Sequence, residues 1–342
     1  MREELKIMTE MTCKICGGQL TVFIKDIFDD RHGFVGRFDI YRCTTCGFGQ
    51  TIPEIPADRI GEIYTRFYPR KNTINLDEIK KQQRVKIMTP ILRWLLGVNN
   101  TAHYHIRKGS KVLDVGCGDC TSIREINAFG AEAYGIEPDQ NIREMVETLG
   151  LSVHVGMFHE MPYADVFFDY ITMSQVLEHV HDPIELLRSF RRILKDNGQI
   201  IVGIPNIDSR LRKRYGTRWL NWHVPYHINH FSRKSLFCMA EKSGYTIRKI
   251  KTITPNLWVE LQRKLAAYPV REGIKVPFFN GEPDTECLDQ SKKRLTEVSY
   301  ELNRRILRKA YSLIKQISVL RLRLNDLVGI GESYLLFMVK KR

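Results

Sequence analysis

KVLDVGCGDC, residues 111–120, is a short apolar run that breaks at Asp114-x-Gly116-x-Gly118. A run of that length and character predicts a buried strand, and the glycines predict a tight turn after it. A helical stretch follows from about Thr121 to Phe129, and AEAYGIEPD then predicts a second strand ending at Glu137. The order strand, glycine turn, helix, strand, acid is that of a nucleotide-binding βαβ unit. Glu137, 21 positions after Gly116, is placed to accept hydrogen bonds from both ribose hydroxyls. A dinucleotide turn wants a third glycine where this chain has Thr121. Asp114 and Asp119 would also repel a pyrophosphate, whereas a ligand carrying an amine and a sulfonium tolerates them. S-adenosylmethionine is therefore favoured over NAD.

The 342 residues suffice for one large core with appendages, or for two domains. No apolar run approaches the roughly 20 residues that span a bilayer. The charged start MREELKIMTEMTCKIC has no apolar signal core and predicts a cytoplasmic protein. Eight cysteines in a reducing compartment argue for metal ligands and buried thiols. The net charge of +14 is uneven, with 18 Lys/Arg against 12 Asp/Glu in residues 1–110, 17 of each in 111–250, and 18 against 10 in 251–342. Basic flanks around a neutral middle attract nucleic acid, anionic lipid or phosphorylated substrates, and charge alone does not choose.

CKICGG (Cys13, Cys16) and CTTCGF (Cys43, Cys46) form a C-x2-C…C-x2-C pattern with a glycine after each pair. Four thiolates satisfy tetrahedral zinc, and a closed four-cysteine site has a structural role. TVFIKDIF and FVGRFDIYR alternate as strands of a small zinc ribbon. Residues 1–75 are expected to be this ribbon with a short linker. Residues 76–107 carry a bridging helix, with Ile79, Val85, Ile87, Ile91, Leu92 and Leu95 on one side.

Across about residues 108–250 the chain resembles the class I S-adenosylmethionine-dependent methyltransferases. The resemblance runs through VLDVGCGDC, AYGIEPD, HEMPYADVFFDYITMSQVLEHVHDP and LKDNGQIIVGIPN. It implies an α/β fold, a Rossmann-like sheet with helices on both faces, and a core over 108–251. By the same resemblance Asp114, Gly116, Cys117 and Gly118 line the methionine end of the cofactor, and Glu137 with Pro138 binds the ribose. Met157 stands where the family often has an acid, leaving the adenine contact to backbone and Phe158. The loop after DYITMS faces the methyl group, which brings Ser174, Gln175 and His179 near the chemistry. Cys117 and Cys120 repeat the CxxC spacing but read as buried thiols.

NWHVPYHINHFS, residues 221–232, carries His223, His227 and His230. Spacings of four and three could bind a metal or place a proton acceptor beside a substrate. The segment leaves the carboxyl end of a core strand, where open α/β sheets bind ligands. PYHINHFS resembles a stretch shared by methyltransferases of bacterial envelope-polysaccharide gene sets. His227 is the leading general base, with His179 and His230 as further candidates, because a neutral imidazole suits proton removal near pH 7. A metal is the lesser reading, since the histidines lie in a loop with no acid beside them in sequence. Arg210, Arg212, Arg214 and Arg218, with His223, are expected to hold an anionic substrate.

Residues 252–330 read as a basic helical insertion, with Leu302, Ile306, Leu313, Ile317, Leu320, Leu324 and Leu327 at helical steps. The stretch 291–327 can meet an anionic membrane or pack on the protein itself. GESYLLFMVKKR predicts a final strand over 331–342 that re-enters the sheet. The expected reaction is methyl transfer to a sugar hydroxyl of an envelope glycan or its phosphate-linked precursor. An RNA methyltransferase using the ribbon and basic flanks, and a non-catalytic binding module, are the alternatives.

Overall fold

The N-terminal cysteine-rich segment folds as three antiparallel strands, β1 (Leu20–Ile27), β2 (Phe38–Cys43) and β3 (Gly49–Ile52). Gly47, at φ 72°, closes the knuckle between the second cysteine pair and β3, a conformation that favours glycine. The computed structural model describes residues 11–56, 89–280 and 318–341, together with 59, 62, 63, 66 and 67. Beyond the ribbon lies α1 (Pro90–Leu96), capped by Thr89 and ended by Gly97 in the left-handed region. The expected bridging helix over 76–107 is thus only this short piece among the described residues, and 76–88 lie outside them. Its apolar side is not a buried face: Ile91, Leu92 and Leu95 are exposed.

The core follows as β4 (Lys111–Val115), α2 (Thr121–Phe129), β5 (Glu132–Glu137), α3 (Arg143–Leu149), β6 (Val153–Val155), β7 (Phe168–Ser174), α4 (Pro183–Ile193) and β8 (Leu194–Pro205). After α5 (Arg210–Tyr215) and β9 (Asn229–His230) come α6 (Arg233–Lys242), β10 (Tyr245–Ile253), α7 (Asn256–Ala267) and β11 (Ser333–Lys340). Seven strands form one sheet in the order β6-β5-β4-β7-β8-β11-β10, with β11 antiparallel to both of its neighbours. This is the expected Rossmann-like methyltransferase fold, and the last strand re-enters the sheet as predicted. Helices cover both faces, so the central strands read as unbroken apolar runs. Val112, Leu113 and Val115 on β4 and Ile200, Ile201 and Val202 on β8 are all buried.

Helix α4 shows the local logic. Asp182 accepts hydrogen bonds from the Ile184 and Glu185 amides at 3.1 and 2.9 Å, and Pro183 occupies the first turn. Its buried face is Ile184, Leu186, Leu187, Phe190 and Ile193. Each such side chain contributes about 1.5–3 kcal/mol when removed from water. Leu194 follows it directly and begins β8.

The ribbon is not a separate body. β9, from the histidine segment, pairs with β3 as a fourth ribbon strand, with Gly49 opposite His230 and Gln50 opposite Asn229. Phe48 and Phe231 meet edge to face at 5.2 Å. The cysteines Cys13, Cys43 and Cys46 belong to the same apolar cluster as Leu113 and Val115 of the central strand. Thr51, fully buried on β3, donates to the His227 carbonyl at 2.6 Å and meets His230 Nε2 at 2.9 Å. A hydroxyl has one proton, and the carbonyl takes it, so His230 Nε2–H is the donor to Thr51 Oγ1.

The return from α7 to β11 includes a helix over 318–327, whose Arg323 is buried and donates to the Trp94 carbonyl at the end of α1. Arg323 is therefore a capping group and not part of a solvated basic face. Residues 281–317, which hold most of the expected basic arm with Leu302, Ile306, Leu313 and Ile317, lie outside the described residues.

Thr51→Val keeps the side-chain volume and removes both hydrogen bonds. It should lower stability by about 2–4 kcal/mol, because a buried carbonyl and a buried imidazole N–H lose their partner. Denaturant unfolding of the variant beside the parent measures this, and an unchanged midpoint would refute the coupling.

Candidate active site

The glycine turn sits where three strand ends converge. Asp114 on β4 lies level with Gly135 on β5 and Thr172 on β7. Thr172 donates to the Asp114 carboxylate at 2.5 Å, and burial raises the Asp114 pKa against the opposing pull of His103. Gly116 has φ 71°, and a Cβ there would stand 2.8 Å from Val176. Gly118 has φ 54°, and a Cβ there would meet nothing within 4 Å. The first glycine is required by crowding and by conformation, the second by conformation beside open space. Glu137, buried at the end of β5, accepts from the Gly118 amide at 2.9 Å and the Asp139 amide at 3.1 Å. Its carboxylate therefore joins the turn to the loop after β5. A carboxylate has about four acceptor positions, which suits hydroxyl donors beside these amides.

The remaining cofactor candidates take varied places. Pro138 joins Glu137 to Asp139, whose side chain caps the next short turn. The Cys117 thiol packs against Gly135 within the sheet, so this residue offers the site its backbone and not its sulfur. Ser174 Oγ accepts from the Ala102 amide at 3.0 Å, which fixes the end of β7. Met157 is half exposed and Phe158 packs on the core.

From Ser174 the chain turns through Gln175, at φ 60°, into a short helical turn over Leu177–His179. This brings Glu178 and His179 against the histidine segment. The His179 and His227 rings are 4.7 Å apart, and those of His227 and His223 are 4.8 Å apart. His179 Nδ1 lies 2.9 Å from the Tyr226 carbonyl, and His227 Nδ1 lies 2.9 Å from the Asn221 carbonyl. A carbonyl only accepts, so each Nδ1 carries the proton and each Nε2 is the basic nitrogen. Burial, with the neighbouring imidazoles, holds the His223 and His227 pKa values well below the usual range. Glu178 is buried beside them, and burial pushes its carboxyl up to about 8.

Three expectations change here. His230, taken as a possible base, is committed to Thr51 and packed against Trp222 at 5.0 Å, which is a structural role. The absence of an acid beside the histidines holds only in sequence, because Glu178 stands next to His179 and His227 in space. The arginines do not gather into an anion clamp. Arg210 reaches Asn325, Arg212 donates to the Ile207 carbonyl at 2.7 Å, Arg214 lies over Tyr215, and Arg218 donates to the Leu265 and Tyr268 carbonyls. Arg212 and Arg218 thereby brace their own loop. His223 remains in the cluster, and its ring lies 5.3 Å from His32 of the ribbon.

The sequence reading missed Glu178, Thr51 and the ribbon loop Arg31–His32. Arg31 donates to the Leu220 carbonyl at 2.7 Å, and Asp29 accepts from the Arg31, His32 and Phe34 amides, so this loop walls the histidine cluster. The one available signal was Glu178 itself, an acid inside the otherwise apolar approach QVLEHV. The four ribbon cysteines converge into a group able to hold a metal ion, with Cys13 and Cys46 sulfurs 3.7 Å apart and those of Cys16 and Cys43 3.4 Å apart.

Comparison with known proteins matches a family described as a methyltransferase domain to residues 82–250. An uncharacterized protein of Methanocaldococcus jannaschii is 24% identical over 216 residues, which cover 63% of this chain and 91% of that one. The demethylmenaquinone methyltransferase of Bacillus cytotoxicus is 35% identical over 107 residues, covering 28% of this chain and 45% of that enzyme. Among solved structures, a Thermotoga maritima protein titled as an S-adenosylmethionine-dependent methyltransferase, possible histamine N-methyltransferase, aligns with TM-score 0.44 and 18% identity over 82% of this chain and 100% of that one. The matched region holds the glycine turn, Glu137 and the His179 loop.

Glu137→Ala should weaken S-adenosylmethionine binding by at least about 10-fold, the loss of one charge-assisted hydrogen bond or more. Calorimetric titration measures it, with circular dichroism as the folding control. Unchanged affinity would remove Glu137 from the ribose contact.

Proposed function

We propose that this S-adenosylmethionine-dependent methyltransferase methylates a sugar hydroxyl of an envelope glycan or of its nucleotide- or lipid-phosphate-linked precursor. The observation that carries the reading is the pair His179, on the loop that leaves β7 beside the cofactor turn, and His227, on the segment packed against that loop, their Nδ1 protons fixed on carbonyls. A hydroxyl is a poor nucleophile while it keeps its proton. As its oxygen attacks the methyl carbon, the proton passes to an imidazole Nε2 and the carbon–sulfur bond breaks to leave a neutral thioether. His227 is the acceptor of choice, being buried and held neutral by that burial. The rest of the rate comes from holding donor, acceptor and leaving sulfur in line.

The likeness of PYHINHFS to envelope-polysaccharide methyltransferases supports the glycan. The RNA alternative loses support because the β3 edge of the ribbon is closed by β9 and its Arg31–His32 loop faces the histidines. Intact Gly116, Gly118 and Glu137 weigh against a non-catalytic module. Leu320, Leu324, Leu327 and Val328 are all exposed on and after the helix over 318–327. That apolar stripe supports a peripheral membrane position, where a lipid-linked acceptor would be met.

The ribbon cysteines are proposed to hold structural zinc. Backbone amides of Gly18, Thr45 and Cys46 point at the Cys16 and Cys43 sulfurs at 3.4 Å, which suits thiolate charge. All four positions around such an ion are filled by protein, so it supplies geometry and no chemistry.

His227→Ala should lower turnover by about 100-fold or more while S-adenosylmethionine affinity holds. The assay follows labelled methyl into cell-envelope fractions and into RNA. Label in RNA alone would overturn the glycan reading, and unchanged turnover would move the base elsewhere. The purified chain should also carry zinc that resists dialysis. Cys46→Ser should lose it and melt at lower temperature, whereas a metal-free chain of full stability would refute the zinc.

A further inference from the structure

We propose that Glu178, His179 and His227 form a second metal site, one that takes a divalent transition-metal cation and is distinct from the ribbon cysteines. One ligand atom from each residue lies within 4.8 Å of the other two. Ligands about 2.1 Å from one ion stand about 3–4 Å apart. The three side chains therefore need to close by about one to two ångströms at most.

Two further observations point to a cation. Glu178 is 1% exposed, and both of its carboxylate oxygens are buried without a hydrogen-bond partner. A buried carboxylate left so is strongly unfavourable, and a cation is the group that would satisfy both oxygens. Each imidazole has its Nδ1–H held on a backbone carbonyl, the orientation that metal-ligating histidines commonly have.

The ligands come from two segments that are cross-tied by backbone. The Ile228 amide donates to the Glu178 carbonyl at 2.9 Å, and Asn229 Nδ2 donates to the Leu177 and Val180 carbonyls at 2.9 and 2.6 Å. One carboxylate and two imidazoles make a donor set for zinc, iron(II) or manganese(II), and three protein ligands leave positions open. The ribbon, by contrast, is closed. The role of the ion rests on the methyl-transfer reading: with His227 Nε2 as a ligand and not a free base, an open position beside the cofactor turn would hold the acceptor oxygen and make its proton acidic enough to leave to water. The site itself does not depend on that reading.

The test uses the full chain with its ribbon metal in place. Manganese(II) added to it is followed by electron paramagnetic resonance, and cobalt(II) by absorption. One ion per chain should bind beyond the ribbon. Cobalt should give weak bands of a nitrogen and oxygen site without added thiolate charge transfer. Glu178→Gln and His227→Ala should each weaken this ion by at least about 10-fold. The site is refuted if the parent chain binds neither ion beyond the ribbon, whatever the variants do. It is equally refuted if Glu178→Gln, folded by circular dichroism, binds as tightly as the parent. An ion bound without methyl transfer to any glycan would keep the site and remove the acceptor reading. No ion, with turnover lost in His227→Ala, would leave a bare imidazole base.

Discussion

The hydroxyl of Thr51 ties the two halves of this molecule together. It gives its proton to the His227 carbonyl and receives one from His230, while the Thr51 amide donates to the Ile228 carbonyl. Those contacts fix the backbone at and just after His227. Ser232 adds another tie, donating to the Cys46 carbonyl at 2.6 Å while also capping α6. The ribbon is thus the rear wall of the histidine cluster. A ribbon of this size has too little core to hold shape alone, which is the usual reason for a metal. Here its rigidity also sets the position of side chains on another segment.

That arrangement explains which features the sequence could disclose. The strand KVLDV, the turn glycines and the acid at the end of the second strand are local, since each is encoded within a few neighbouring residues. The structure places all of them as read, including α2 over Thr121–Phe129. The return of the 331–342 segment to the sheet was legible through the family resemblance, whereas its antiparallel direction against β8 and β10 comes from the structure alone. The pairing of β3 with β9 was not legible. It joins positions some 180 residues apart through two residues of strand, too short to show any alternation.

The arginine segment failed for a related reason. Arg210, Arg212, Arg214 and Arg218 form a basic run in sequence, and a run of like charge invites an anion. In space the residues sit on a short helix and the turn after it, and carbonyls of Ile207, Leu265 and Tyr268 take up two of the guanidinium groups. A guanidinium has five donors and no acceptor, so unpaired carbonyls at loop and helix ends compete for it as well as any phosphate. Composition cannot tell these partners apart.

The same point decides the chemistry of the histidines. Which nitrogen of each ring carries the proton is set by a backbone carbonyl for His179 and His227 and by a hydroxyl for His230. Backbone carbonyls have no signature in the sequence, so His179, His227 and His230 look alike on paper and differ in role. His230 has its Nε2 proton engaged and lends strength to the ribbon. His227 has its Nδ1 proton on a carbonyl, and one ligand atom each of Glu178, His179 and His227 lies within 4.8 Å of the other two. A base needs one imidazole, whereas two of them converging on a buried carboxyl with neither oxygen hydrogen-bonded exceed that need. The excess is what distinguishes a cation site from a simple proton acceptor, and it follows from the convergence of three side chains from two segments rather than from the number of histidines.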